Sequence, residues 1–226
     1  MKRLILLIIT CYGLLLGYAN TDTASDSLLQ MLQTLPHDTT RLSTLNAIIK
    51  IEQNNYKCIQ YSDTLMQEAL KLKNDKYASL AAYYHLLYYY NRSEQDSVAK
   101  WIVRIEPYVQ RSGLWDYFFD AQRFQIDLYT FTEQYELAIS EANKMKQKAL
   151  NTNSNRGTVA AYQCLSNAYI GSQRWDEGLK ALEEAYRLLP KKGNAVVHIS
   201  VLSQLISVTK EMKDNNRQLK YLQELE

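Results

Sequence analysis

The side chains best suited to chemistry are scattered along this chain. His37, His85 and His198 lie far apart, and none has a Cys or His partner at ligand spacing, so no zinc site is expected. Cys58 and Cys164 stand more than a hundred residues apart and make no disulfide framework; both are expected as small buried hydrophobes. Glu183 and Glu184 are adjacent, so on a helix they point in different directions and form a solvated face rather than an acid–base pair. No nucleophile elbow, phosphate loop, zinc-protease helix, calcium loop or dinucleotide fingerprint occurs. The expectation is a non-catalytic chain with no cofactor and no metal. The aromatic run from Tyr83 to Tyr90 suggests a stacking platform for single-stranded nucleic acid, but such platforms come with a basic groove. Formal charge is only +2, and it falls to neutral once Lys2 and Arg3 are removed with an N-terminal signal. A neutral chain has no general pull on nucleic acid or anionic membrane.

What must position any functional side chain is helical. In 226 residues, 46% hydrophobic and 22% charged, there are 18 Tyr but only 7 Gly and 3 Pro. A β-sandwich or Rossmann-type domain of this size needs more turn residues than that. Self-similarity gives the organisation. Tyr90 is followed nine residues later by Ala99, Tyr129 by Ala138 and Tyr169 by Gly178, and the three tyrosines are 39 and 40 residues apart. Each unit reads as two amphipathic helices: Leu114 to Phe131 with Glu133 to Leu150, then Thr158 to Ile170 with Arg174 to Leu189. Gly113, Gly157, Gly171, Pro190 and Gly193 read as breakers, with Asn54-Asn55, Asn74-Asp75 and Asp214 to Asn216 doing the same without glycine. Gly157 is placed after a polar linker running from Asn151 to Arg156. Pro107, inside an otherwise helical run, predicts a kink or an early helix end.

Tyr162, Leu165, Ser166, Tyr169, Trp175, Gly178, Leu182, Ala185 and Pro190 carry the spacing of one family. The segment 159–192 resembles the tetratricopeptide repeat, departing from it at Ser166 and Gly178, which are still small. A period near 40 is also that of HEAT and armadillo repeats, but the nine-residue core spacing favours a lengthened tetratricopeptide. The likeness implies an all-α, right-handed α-α superhelix of helical hairpins over 39–226, after a short helical segment at 20–38. A signal followed by an Asp-Ser-Leu-Leu helix and Tyr- and Ala-rich repeats is similar to the exported tetratricopeptide regions of bacterial sensor kinases and transcriptional regulators.

The first 19 residues read as a signal peptide: Lys2 and Arg3, an apolar stretch from Leu4 to Leu16, and Gly17-Tyr18-Ala19 before cleavage. The expected location is the periplasm, with membrane contact only through this segment, tethered there if it is uncleaved. The repeat frame divides the aromatic run, sending Tyr83, Leu86, Leu87 and Tyr90 to packing positions and Tyr84 and Tyr88 to the concave face. The same frame puts Asn91, Arg92, Arg123, Asp127, Phe131, Gln163 and Asn167 on that binding face, while Trp175 is expected in the interior. Tyr and Arg are common at binding hot spots, and Asn and Gln pair with peptide backbone. The expected role is therefore a protein- or peptide-binding scaffold, the alternative being a ligand-sensing extracytoplasmic region of a signalling receptor or regulator that lacks its output domain. Leu219, Leu222 and Leu225 form an apolar stripe on the last helix, for which self-association is one explanation.

Overall fold

The computed structural model describes residues 25–52, 56–190 and 195–225. The signal segment, the start of the 20–38 segment, the Asn54-Asn55 turn and Gly193 lie outside the described residues. Among the described residues there are eleven helices and no strand: α1 (25–34), α2 (Thr39–Ile51), α3 (Lys57–Lys71), α4 (Asp75–Tyr90), α5 (Gln95–Ser112), α6 (Trp115–Phe131), α7 (Tyr135–Asn151), α8 (Asn155–Gly171), α9 (Trp175–Arg187), α10 (Ala195–Glu211) and α11 (Asn215–Leu225). None of them is long and apolar enough to cross a membrane. The fold is all-α and solenoid-like, built of helical repeats, and the chain divides into two compact units, the first ending at Tyr88.

In the first unit α2 packs on α3, and a polar cluster ties α1, α2 and α3 together. The Arg41 Nε donates to both carboxylate oxygens of the buried Glu68, at 2.9 and 3.0 Å, while its Nη1 donates to the Leu32 carbonyl. Asp38 caps α2, accepting from the backbone N–H of Thr40 and Arg41 at 2.8 and 3.2 Å.

The second unit is more regular. Its helices start at 20-residue intervals, Gln95 and Trp115, then Tyr135, Asn155, Trp175, Ala195 and Asn215. A left-handed residue recurs at the same interval: Ser93, Gly113, Glu133, Asn153, Gln173 and Lys213 have φ of 57, 74, 60, 53, 64 and 58°. Around it the chain closes a Schellman turn, in which the next N–H reaches back over the helix end: Gln134 to Tyr129, Ser154 to Ala149 and Arg174 to Tyr169, each at 2.8 Å. Helix α6 packs on α5, α7 and α8; α8 also packs on α7 and α9, and α10 on α9 and α11.

Three local expectations are corrected. Helix α5 runs on through Pro107, because its apolar stripe of Val98, Ile102, Ile105 and Val109 faces the core while Pro107 and Val103, four residues before it, face water. Gly157 is no linker residue. Ser154 caps α8, its Oγ accepting from the Gly157 N–H at 3.0 Å, so Gly157 lies in the first helical turn, where a Cβ would stand 2.5 Å from the Phe119 ring. Trp175 is half-buried, lying against the core of α8 to α11 rather than within it. Cys58 and Cys164 are both buried, as read from the sequence.

Candidate functional site

The first helices of successive hairpins, α6, α8 and α10, present one stripe each to a shared cleft. Along α6 the stripe is Asp116, Asp120, Arg123 and Asp127, residues one turn apart. Forty residues on, α8 carries Arg156, Ala160, Gln163 and Asn167, and α10 continues with Val196 and Ser200. Two adjoining clefts result. One, of about 410 Å³, is lined by Asp120, Arg123, Asn155, Arg156, Gln163 and His198 among others. The second, of about 280 Å³, is lined by Arg123, Asp127, Gln163, Cys164, Asn167, Ser200 and Gln204 with Val196 and Val197. Arg123, Gln163 and Val197 belong to both.

The walls are held by polar contacts between the helices. Gln163 Nε2 donates to Gln204 Oε1 at 3.3 Å, joining α8 to α10. Arg156 pairs with Asp120 at 2.8 Å and with Asp116 at 3.5 Å, joining α8 to α6. Asn155 donates to the Leu188 carbonyl at 2.9 Å, and a ring nitrogen of His198 lies 2.9 Å from the Pro190 carbonyl.

Arg123 and Asp127 set the electrostatics of the second cleft. Desolvation raises the Asp127 carboxyl above its ordinary range, and the Arg123 charge only partly offsets this. The Arg123 guanidinium lies 5.5 Å from the centre of the Phe124 ring, and its buried Nε has no hydrogen-bond partner. Phe124 is in turn stacked on Tyr90, with ring centres 4.4 Å apart. Burial also raises the Tyr90 hydroxyl and pushes the Cys164 thiol far up, so that Cys164 stays protonated and is no nucleophile at neutral pH. Carboxylate, guanidinium and amide groups therefore face one cleft with donor and acceptor capacity to spare, an arrangement able to receive groups that both donate and accept hydrogen bonds. Among the described residues no three of His, Cys, Asp and Glu gather as a metal ion would require.

Of the nine residues assigned to a binding face from the sequence, Arg123, Asp127, Gln163 and Asn167 come together in this cleft. Tyr84 is a correction. It is 5% exposed, and its hydroxyl donates to Asn46 Oδ1 on α2 at 2.9 Å. Helix α4 is buried almost all round from Tyr77 to Leu86, so it has no solvent face for Tyr84 to occupy. Tyr88 is half-buried at the end of the first unit. Asn91 and Arg92 are exposed in the turn after α4, and Phe131, 84% exposed, ends α6; none of the three lines either cleft. The frame missed Asp120, Arg156, Ser200 and Gln204. Extending the α6 stripe two turns toward its N-terminus, to Asp120 and Asp116, and then applying the 40-residue period would have found the first three.

No family model matches the chain, and no curated protein matches its sequence. Among solved structures it is similar to the crystal structure of BtubC (BKLC) from P. vanneervenii, with a TM-score of 0.63 at 13% identity, over 92% of this chain and 87% of that one. The likeness is one of fold.

Proposed function

We propose that this chain is a non-catalytic, tetratricopeptide-like scaffold that binds an extended protein segment in the clefts between α6, α8 and α10. Export to the periplasm by its first residues belongs to the same reading. Support for the repeat type comes from Gly178, where a Cβ would lie 2.6 Å from Ile170 and 3.3 Å from the Ser166 carbonyl. Close approach of this kind is what small residues at the nine-residue spacing permit. The observation that carries the binding role is the placement of Arg123 and Gln163 in the wall shared by both clefts, flanked by Asp127 and Asn167. An extended backbone offers alternating N–H and C=O groups, which suit a carboxylate, a guanidinium and amides in a row.

Peptides selected on the protein from a random linear library, then synthesised and titrated, test this. The Arg123→Ala/Gln163→Ala double variant should bind them at least tenfold more weakly, because a hydrogen bond to a charged group contributes about 1.5–3 kcal/mol. Phe131→Ala should bind as the parent does. Failure to enrich any peptide, or equal affinity in the double variant, would overturn the proposal.

A further inference from the structure

The charges along the two clefts are only partly satisfied within the protein. On the α6 stripe Asp116 and Asp120 share Arg156 of α8, at 3.5 and 2.8 Å. Elsewhere in the second unit Arg174, Arg187 and Arg217 each hold a carboxylate, at 3.0, 2.6 and 2.6 Å. Arg123 and Asp127 differ. Among the described residues neither side chain has an ion pair or a hydrogen bond, with the other or with a neighbour, and the buried Nε of Arg123 is left without an acceptor. Both line the second cleft, and Arg123 stands in the wall shared with the first. Desolvation already disfavours the Asp127 carboxylate, so covering it further without a countercharge costs more.

The clefts follow one another along the helix axes. From the first to the second, the lining residues advance from Asp120 to Asp127 on α6 and from Asn155 to Asn167 on α8. A segment filling both therefore runs alongside α6. Arg123 and Asp127 are one helical turn apart, about 5–6 Å between Cβ atoms, and side chains on one side of an extended chain recur every two residues, about 6.5 Å apart. The backbone of such a segment can hydrogen-bond to the cleft walls but brings no countercharge.

We infer that the clefts select a segment with one acidic and one basic side chain two residues apart, the acid on Arg123 and the base on Asp127, with the intervening side chain turned away from α6. This rests on the reading that an extended segment occupies the clefts, and it adds the sequence that segment must have. Arg123 offers a planar fork to a carboxylate, and Asp127 accepts from a Lys or Arg head group. The two charges of the segment cancel, as do those of the pair that receives them, so discrimination is by the placement of charge and not by its net sign. Arg156, already neutralised by Asp116 and Asp120, imposes no such demand.

Selection of a random linear peptide library on the parent protein and on two near-isosteric variants, Arg123→Gln and Asp127→Asn, is the test. Peptides enriched on the parent should carry Asp or Glu and Lys or Arg two residues apart. Arg123→Gln should lose the acidic preference and keep the basic one, and Asp127→Asn should do the reverse, whereas a merely structural role would move both preferences together. Titration of one enriched peptide against the parent leaves the protein untouched: replacing its acid by the amide, or its base by Gln, should each weaken binding about tenfold or more, and so should moving the base next to the acid. Enriched peptides that lack the charged pair overturn the inference, and if they still bind more weakly to Arg123→Ala/Gln163→Ala the cleft reading stands without it. Unchanged affinity for the peptide with its base moved also overturns it. Failure to enrich any peptide overturns both.

Discussion

The units on either side of Tyr88 differ in how regularly their helices are spaced. In residues 25–88 the spacing is irregular, α2 and α4 starting 36 residues apart, and polar side chains tie the helices: Arg41 to Glu68, Ser25 to Glu52 at 2.7 Å, Tyr84 to Asn46. From Tyr89 onward the backbone repeats every 20 residues, and polar pairs such as Arg156 with Asp120 and Gln163 with Gln204 bridge helices that share an apolar core. A repeated turn makes every junction alike, so one packing solution serves several times. Where the spacing departs from that period, directional bonds hold the helices in place. Such bonds specify geometry but fail badly when one partner is removed.

The largest expected effect follows from that fragility. Arg41 and Glu68 side chains are 16 and 9% exposed, so Glu68→Ala leaves a guanidinium largely desolvated and frees the Leu32 carbonyl contact to shift. A loss of about 3–5 kcal/mol is expected for the first unit. Hydrogen exchange resolved by peptide should show residues 25–88 losing protection while α7 to α9 keep theirs. His37, 3.5 Å from Glu68 but with a side chain 75% exposed, contributes little, and His37→Ala should leave exchange unchanged. Uniform loss of protection along the chain would break the contrast between the units.

In the second unit the equivalent weakness is steric. Gly157→Ala would drive a methyl to 2.5 Å from Phe119, a buried ring that also meets Phe118 and Trp115 with centres 5.8 and 6.2 Å away. With little room to retreat, overpacking should cost about 1–3 kcal/mol in a chemical denaturation curve. Phe119→Leu in the same chain should recover part of that loss, since the smaller side chain makes space at its own cost. Additive losses in the double variant would mean that the two side chains do not meet.

Much of the second unit was legible in the sequence because periodicity is a property of residue order. Tyr129 with Ala138 and Tyr169 with Gly178 give the hairpin spacing, and the apolar stripes give the buried faces. The same frame found Arg123, Asp127, Gln163 and Asn167. It failed at Tyr84 for a physical reason. Frame arithmetic assumes that each first helix keeps a solvent face, whereas α4 is buried almost all round from Tyr77 to Leu86 and the Tyr84 hydroxyl is satisfied by Asn46, a partner 38 residues away in sequence. Trp175 and Pro107 show the converse. A residue type suggested its fate, burial in one and a kink or an early helix end in the other; Trp175 stays half-buried, and α5 does not end at Pro107. Gly157 was misread because a glycine needed for close approach looks the same in sequence as one needed for a turn.

The turns themselves give the smallest effect, and its sign is informative. Of the left-handed positions among the described residues of the second unit only Gly113 is glycine; Ser93, Glu133, Asn153, Gln173 and Lys213 hold positive φ with a Cβ. A non-glycine residue pays about 1–2 kcal/mol there, while glycine returns roughly 0.5–1 kcal/mol of that through its freer unfolded chain. Glu133→Gly and Gln173→Gly, both at exposed positions, should each stabilise by about 0.5 kcal/mol, a rise in Tm of about 1–2 °C. Asn153→Gly should gain less, because Asn already tolerates the left-handed region. Gly113→Ala should reverse the sign, since no atom lies within 4 Å to crowd a Cβ and only the backbone, at φ of 74°, opposes it. Lys73, at φ of 52° before α4, makes the same turn in the first unit, with the Asn74 N–H reaching the Ala69 carbonyl at 2.8 Å. If Lys73→Gly gains as Glu133→Gly does, the turn is common to both units and only the packing between helices divides them; if it destabilises, the division extends to the backbone.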